Sequence, residues 1–284
     1  LDLWGEDLIA VVRGGAIYYW DTSGGIGNRA SLVSEKANAA GVPNVVRTST
    51  ISFPDRHFIA GGCQEYAVGG GGNFDPMLVR WSNQEDFTVF TPTALNTAGD
   101  QRLQIGTKIV TMVSSREETI ISTDEAIYGM TFVGAPFIFS FRLLATDAGA
   151  AGLNTMINID GNVYWMGRRN FFTYNGVVKE LVCPVQYFVF DRMQTDYIDK
   201  VVVGHNKKFK EITWFYVSND NSAGTINPEP DSYVTYNYME NAWSIGTMDR
   251  TVWLDSFGAR EVPFAFDPNG LLYNHETGLT DNGS

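Results

Sequence analysis

The sequence predicts an all-β fold, a β-propeller of roughly six four-stranded antiparallel blades with one short helical insertion, and three observations predict it. Period-2 apolar and aromatic runs bounded by Gly, Asn, Asp and Pro dominate the chain, whereas helical periodicity is sustained in only two places. An aromatic-bearing strand beside a polar turn recurs six times. Its markers Trp20, Trp81, Phe141, Tyr174, Tyr236 and Tyr273 are irregularly spaced with a mean of about 51 residues, close to the roughly 40–50 of propeller blades. One stretch, residues 155–181, reads as a whole blade.

Taken in order, the six endings are AIYYWDT at 16–22, MLVRWSNQEDF at 77–87, IFSFRLL at 138–144, FFTYNGVV at 171–178, YVTYNYMENAW at 233–243 and LLYNHETG at 271–278. Within 155–181, turns at Asp160-Gly161, Arg168-Arg169 and Asn175-Gly176 separate four short strands. Asp-Gly and Asn-Gly are the pairs that a two-residue type I′ hairpin demands, because both of its central residues need positive φ. A lone blade has two apolar faces and two open edges, so stacking several blades buries the faces and shortens the edges; this favours a propeller over a sandwich. The two helical excursions are residues 30–40 (ASLVSEKANAA), closed by Gly41 and Pro43, and a weak turn at 95–103. The chain is therefore expected to be a single propeller domain over 1–284 with a loop and helix insertion at 22–47. The start at Leu1 and the polar Gly-Ser end point to a fragment of a longer chain, in which a blade lacking strands would leave ring closure incomplete.

Twenty Lys and Arg against 32 Asp and Glu give a formal net charge of −12, which opposes wrapping of nucleic acid. No run of 18 apolar residues exists, so no membrane insertion is expected, and LDLWGEDLIA lacks the basic start of a signal peptide. Cys63 and Cys183 stand alone and read as structural thiols.

Gly25-Ile26-Gly27-Asn28-Arg29-Ala30 imitates GxGxxA, but the strand before it is aromatic and alternating and no regular βαβ series follows, so dinucleotide binding is set aside. His57, His205 and His275 lie far apart, without HxH or HxxxH spacing. The loop around Asn219, Asp220 and Asn221 lacks the ligand order of a calcium loop. Glu85-Asp86, Glu117-Glu118 and Asp124-Glu125 are adjacent pairs, and neighbours on a strand point to opposite faces. Trp4, Trp20, Trp81, Trp165, Trp214, Trp243 and Trp253 read as blade packing, with sugar stacking by one or two of them as the alternative. No residue is assigned to catalysis, cofactor binding or metal ligation; no cofactor is expected, and the chain is not expected to be an enzyme.

WGEDL at 4–8, RGG with IYYWD at 13–21, DRH at 55–57, DPMLVRWSNQEDF at 75–87, GAPFIFSF at 134–141, VYWMG at 163–167, FFTYNG at 171–176, VTYNYMENAWSIGT at 234–247 and TVWLD at 251–255 together resemble the tail-nozzle or tail-hub virion proteins of short-tailed bacteriophages. The resemblance implies a propeller that assembles with copies of itself in a ring, often a hexamer, below the portal and adaptor and beside tail fibre proteins, with DNA passing through without sequence-specific binding. It implies residence in the virion after synthesis in the bacterial cytoplasm, and it implies no catalytic residue. An acidic wall suits such a conduit, since it repels phosphates. The loops at 22–47, 63–75 and 219–231 are the expected partner contacts. The rival expectation is a host-surface glycan-binding propeller that uses exposed Trp and Tyr; a glycan-cleaving enzyme ranks behind both.

Overall fold

The alternating runs become strands that pair with their sequence neighbours, hairpin by hairpin, in a computed structural model that describes residues 1–53, 55–68, 72–219, 228–258 and 260–278. The first sheet is β1 (Asp2–Trp4), β2 (Asp7–Val11), β3 (Ile17–Trp20) and β4 (Ser31–Leu32), and the second is β5 (Val46–Ile51), β6 (Phe58–Gln64), β7 (Phe74–Trp81) and β8 (Gly99–Arg102). The third is β9 (Ile109–Ser114), β10 (Thr119–Thr123), β11 (Ala126–Gly134) and β12 (Ile138–Thr146). The fourth is β13 (Met156–Ile159), β14 (Asn162–Met166), β15 (Phe171–Tyr174) and β16 (Val178–Leu181). After the short helix α1 (Gln186–Arg192) come β17 (Val202–Asn206), β18 (Glu211–Tyr216), β19 (Ser232–Asn237) and β20 (Ala242–Thr247), then a three-stranded sheet of β21 (Val252–Leu254), β22 (Phe264–Phe266) and β23 (Leu272–Asn274). The fold is a six-bladed β-propeller, as the sequence predicts. Among the described residues no helix is long and apolar enough to cross a membrane.

Five of the six aromatic markers lie on the third strand of their sheet; Phe141 lies on a fourth strand, β12, opposite Met130 of β11. Part of the irregular spacing comes from this one displaced marker. Residues 155–181 do contain four strands. Their first turn is a two-residue connection with Asp160 at φ 52° and Gly161 at φ 94°, which is the type I′ pattern. The Asn175-Gly176 turn departs from the expectation. Three residues separate β15 from β16, and of the Asn-Gly pair only Gly176, at φ 97°, is left-handed.

The helix expected at 30–40 is absent. Ser31 and Leu32 pair with Tyr19 and Tyr18 as β4, and only a single 3-10 turn, Val33–Glu35, follows. Val33 is fully buried in a cluster with Ile9, Ile17, Val46 and Phe58, so completing the sheet and filling the core override a modest helical propensity. The expected insertion thus supplies a blade's fourth strand. The weak turn at 95–103 likewise gives way to β8, and the only α-helix among the described residues is at 186–192, where no helix was expected.

Contacts divide the chain into two compact units, residues 1–150, 158–164 and 173–179 in one and residues 151–157, 165–172 and 180–284 in the other. In the first unit, Ile59, Met77, Val79 and Trp81 join Ile109, Met112, Ile121 and Met130 in one core, with Phe132, Ile138 and Phe141 packed against it. The hairpin β11–β12 is nine residues per strand and outruns β10, whose pairing with β11 ends at Thr119 opposite Met130. In the second unit, Phe171, Trp214, Trp243 and Tyr236 form a continuous ring contact, each step between 4.6 and 5.0 Å from centroid to centroid.

Candidate functional site

The polar groups of the first unit converge on His57, the last residue of DRH. Ser52 Oγ donates to Asp55 Oδ2 at 2.6 Å, His57 Nδ1 lies 2.6 Å from the same oxygen, and His57 Nε2 lies 3.0 Å from Thr97 Oγ1. Burial pushes the Asp55 carboxyl up, but hydrogen bonds from His57 and Ser52 outweigh it and leave the group below its ordinary value. Carboxylate, imidazole and hydroxyl are thus connected as in a nucleophile relay. The surroundings give them a different task. His57 is wholly buried, its ring is closed in by Phe132 and Phe139, and Thr97 Oγ1 already accepts the Gln84 N–H at 2.8 Å. Thr97 also accepts the Trp81 indole N–H at its carbonyl, 2.8 Å away. The relay pins the 52–57 turn, the 83–97 loop and the hairpin end together. The sequence shows DRH but not Thr97, which lies 40 positions away.

The hairpin end is itself unusual. Gly134 has φ 75° and Ile138 has φ 60°, a conformation that a β-branched residue adopts only when packing imposes it. Ile138 packs on the core, while Val133 and Phe137 at the tip are 53% and 78% exposed. GAPFIFSF is therefore half anchor and half exposed apolar tip.

A second polar cluster joins Glu118, Tyr174 and Arg142. The Tyr174 hydroxyl donates to Glu118 Oε1, Arg142 Nη2 donates to that hydroxyl at 3.3 Å, and Arg142 pairs with Glu118 Oε2 at 3.5 Å. Burial first, then the bond to Glu118 and its charge, push the Tyr174 phenol up to about 12. A phenol so held stays protonated and serves as a donor.

The other residues singled out by sequence fall apart spatially. His205 contacts Asp255 and Tyr238, whereas His275 meets Arg250 and packs at a tilt against Trp253. Of the acidic pairs, Glu85 bridges to Arg56 at 3.0 Å, Asp86 accepts from Thr88, and Asp124 accepts from the Thr107 N–H at 2.7 Å. Among the described residues no group of three or more His, Cys, Asp or Glu is placed to hold a metal ion. The GxGxxA-like segment leads into β4 instead of a helix. Cys63 and Cys183 are both buried and free, and burial pushes their thiols up to about 12 and about 11.

The tryptophans are consumed by packing. Indole N–H groups of Trp20, Trp81, Trp214, Trp243 and Trp253 each donate to a backbone carbonyl, those of Asn28, Thr97, Thr155, Val182 and His205. Trp4 packs edge-on against Phe87, and Trp165 is wholly buried against Phe172. The aromatic rings that do face solvent belong to Phe and Tyr, notably Phe137, Tyr187 and Phe257.

Of the loops expected to meet partners, 22–47 holds β4 and its flanking turns. In 63–75, residues 69–71 lie outside the described residues, as do 220–227 in 219–231. Two cavities open in the first unit. One, of about 290 Å³, is lined by Ser34, Ala39, Gly41, Val42, Tyr66, Ala67 and Thr91. Beneath it Arg80, 2% exposed, donates to the carbonyls of Gln64, Gly41 and Phe90 at 3.0, 2.7 and 3.1 Å. The other, of about 400 Å³, is lined by Arg13, Gly14, Val45, Arg47 and Phe74.

No protein-family model matches this chain, and no curated protein does. Among solved structures it is similar to apo AztD from Citrobacter koseri, with 10% identity and a TM-score of 0.48 over 93% of this chain and 63% of that one. It is similar to Saccharomyces cerevisiae Sqt1, with 8% identity and a TM-score of 0.49 over 94% and 79%, and to a variant of the Synechocystis apocarotenoid oxygenase, with 8% identity and a TM-score of 0.44 over 96% and 65%. The chain thus spans less than two thirds of the length of AztD. At such identities and scores, no activity, substrate or partner transfers from these proteins.

Proposed function

We propose that this chain is a structural virion protein, a propeller subunit of the tail nozzle or hub of a short-tailed bacteriophage, working by shape and by contacts between copies. The observation that carries the reading is the β11–β12 hairpin: β12 is a nine-residue strand at the edge of its sheet, and its tip presents Val133 and Phe137 to solvent. Exposed edges and exposed apolar side chains are features that proteins otherwise cover, and a neighbouring subunit covers both. The phage setting rests on the sequence resemblance. In this reading the subunits form a ring, sixfold by that resemblance, that meets the adaptor and portal and the tail fibres. The excess of carboxylates then lets DNA slide past without being held. Catalysis has no part in the proposal.

The rival glycan-binding reading loses its intended tools, because each indole packs against another ring or is tied to a carbonyl; it now needs Tyr187 or Phe137 as its platform. Negative-stain electron microscopy of the purified full-length protein, alone and with its neighbouring tail proteins, tests the proposal. Rings with an axial hole are expected. Monomers under every condition, together with glycan binding that is lost in Tyr187→Ala or Phe137→Ala, would overturn it.

A further inference from the structure

Three Asn-Gly pairs occur in the sequence, at 175–176, 269–270 and 282–283, and the last lies outside the described residues. The pair is chemically weak, because glycine has no side chain to keep its amide nitrogen away from the preceding asparagine's Cγ. Asn175, Gly176, Asn269 and Gly270 are all exposed, so access to water does not separate the two described pairs. Their hydrogen bonds do. Asp267 ties down the second pair: its carboxylate accepts from the Asn269 N–H at 2.9 Å, the Leu271 N–H at 2.8 Å and the Asn269 side-chain amide at 3.4 Å, and its carbonyl accepts from the Gly270 N–H at 3.1 Å. There the nitrogen that has to attack is already donating, and the carboxamide that has to be attacked is held by its own Nδ2. In the first pair neither group is held. Gly176, at φ 97°, sits in the three-residue connection between β15 and β16. Among the described residues its N–H donates to no acceptor, and the Asn175 side chain has no hydrogen-bond partner.

We infer that Asn175 is a site of spontaneous modification, converted in the folded protein to aspartate and isoaspartate without an enzyme. The Gly176 nitrogen gives its proton to solvent and bonds to Asn175 Cγ, the Cγ–Nδ2 bond breaks, and the amide group takes up a proton from solvent and leaves as ammonia. Water then opens the cyclic imide at either carbonyl. One opening gives aspartate; the other gives isoaspartate, whose main chain runs through Cβ and Cγ. Either product adds a negative charge next to Tyr174, and isoaspartate also lengthens the β15–β16 connection by one carbon. The inference is independent of the ring reading, since it needs only the folded chain and water.

Incubation of the full chain in mildly alkaline buffer below its unfolding temperature, followed by peptide mapping with mass spectrometry, tests it. Asn175 is expected to convert at least about tenfold faster than Asn269, where attack first has to break the Gly270 and carboxamide bonds. The products should separate into two peaks, with isoaspartate exceeding aspartate. In urea the hold of Asp267 is lost, and the two rates should converge. Asp267→Ala should raise the Asn269 rate toward that of Asn175 and leave Asn175 unchanged; far-UV circular dichroism checks folding, and if D267A does not fold, the urea comparison carries the test. Equal rates in the folded protein, or a difference that persists unchanged in urea, would overturn the inference, the second by tracing the effect to local sequence. Aspartate as the sole product would overturn the imide route.

Discussion

The two compact units solve the same packing problem with different chemistry. In the first, a buried imidazole links a carboxylate, a hydroxyl and, through Thr97, an indole, and the aromatic hairpin end closes over it. In the second, indoles and phenyl rings pack directly against one another at tilted angles, and each tied indole reaches a carbonyl with no side-chain intermediary. The polar solution fixes several loops in one geometry, at the cost of depending on every partner and on pH. Aromatic packing depends on volume and is indifferent to protonation.

The comparison breaks most visibly at Trp214. Trp214→Ala removes a wholly buried ring and is expected to cost about 4 kcal/mol, independent of pH between 5 and 8, in urea unfolding. Trp214→Phe keeps most of the area but removes the indole N–H from the Thr155 carbonyl, which retains the Met166 N–H at 3.2 Å, and should cost about 1 kcal/mol. Asp55→Asn strikes the polar unit and should cost about 2 kcal/mol at neutral pH, because a neutral amide replaces the carboxylate that meets both Ser52 and His57. Its pH signature separates it from the indole variants. The Asp55 pKa is lower in the folded protein than the ordinary 3.8, so its stabilisation is present above that value and is lost as pH falls through the folded one. The wild type should therefore lose stability more steeply than D55N below about pH 4.

Tyr174→Phe sharpens the contrast at the alkaline end. The folded phenol titrates near 12 against an ordinary 10.0, so stability is full below pH 10 and falls as pH rises toward about 12. Y174F should lose about 1 kcal/mol at neutral pH and show a shallower alkaline limb, with one late phenolate missing from the absorbance titration at 295 nm. The smallest effect compares two turns with the same sequence signal. Asp160→Ala should cost about 1 kcal/mol, because Asp160 sits at positive φ, whereas Asn175→Ala should stay within about 0.5 kcal/mol.

That last pair shows how far the sequence could be read. Strand alternation and turn residues recover the sheets because both are local signals. Asp160-Gly161 follows its turn rule, while Asn175-Gly176, given one more residue of loop, does not. Residues 30–40 look helical until Val33 is seen to fill a core assembled from strands β2, β3, β5 and β6, information that no local window holds. The His57 cluster was half legible: DRH marks one side, whereas Thr97, Phe132 and Phe139 reach it only through tertiary folding. The cavity of Arg13 and Arg47 was invisible for the same reason, since a bridge between Gly15 and Val46 creates it.

The two thiols acquire a use from where they lie. Cys63 belongs to one unit and Cys183 to the other, both buried and both held well above the ordinary thiol range, so neither reacts until its own surroundings part. They are natural stopwatches, one per unit. Timed alkylation read by mass spectrometry would show two equal clocks if the propeller opens as a whole, and a fast and a slow one if one half unlatches first.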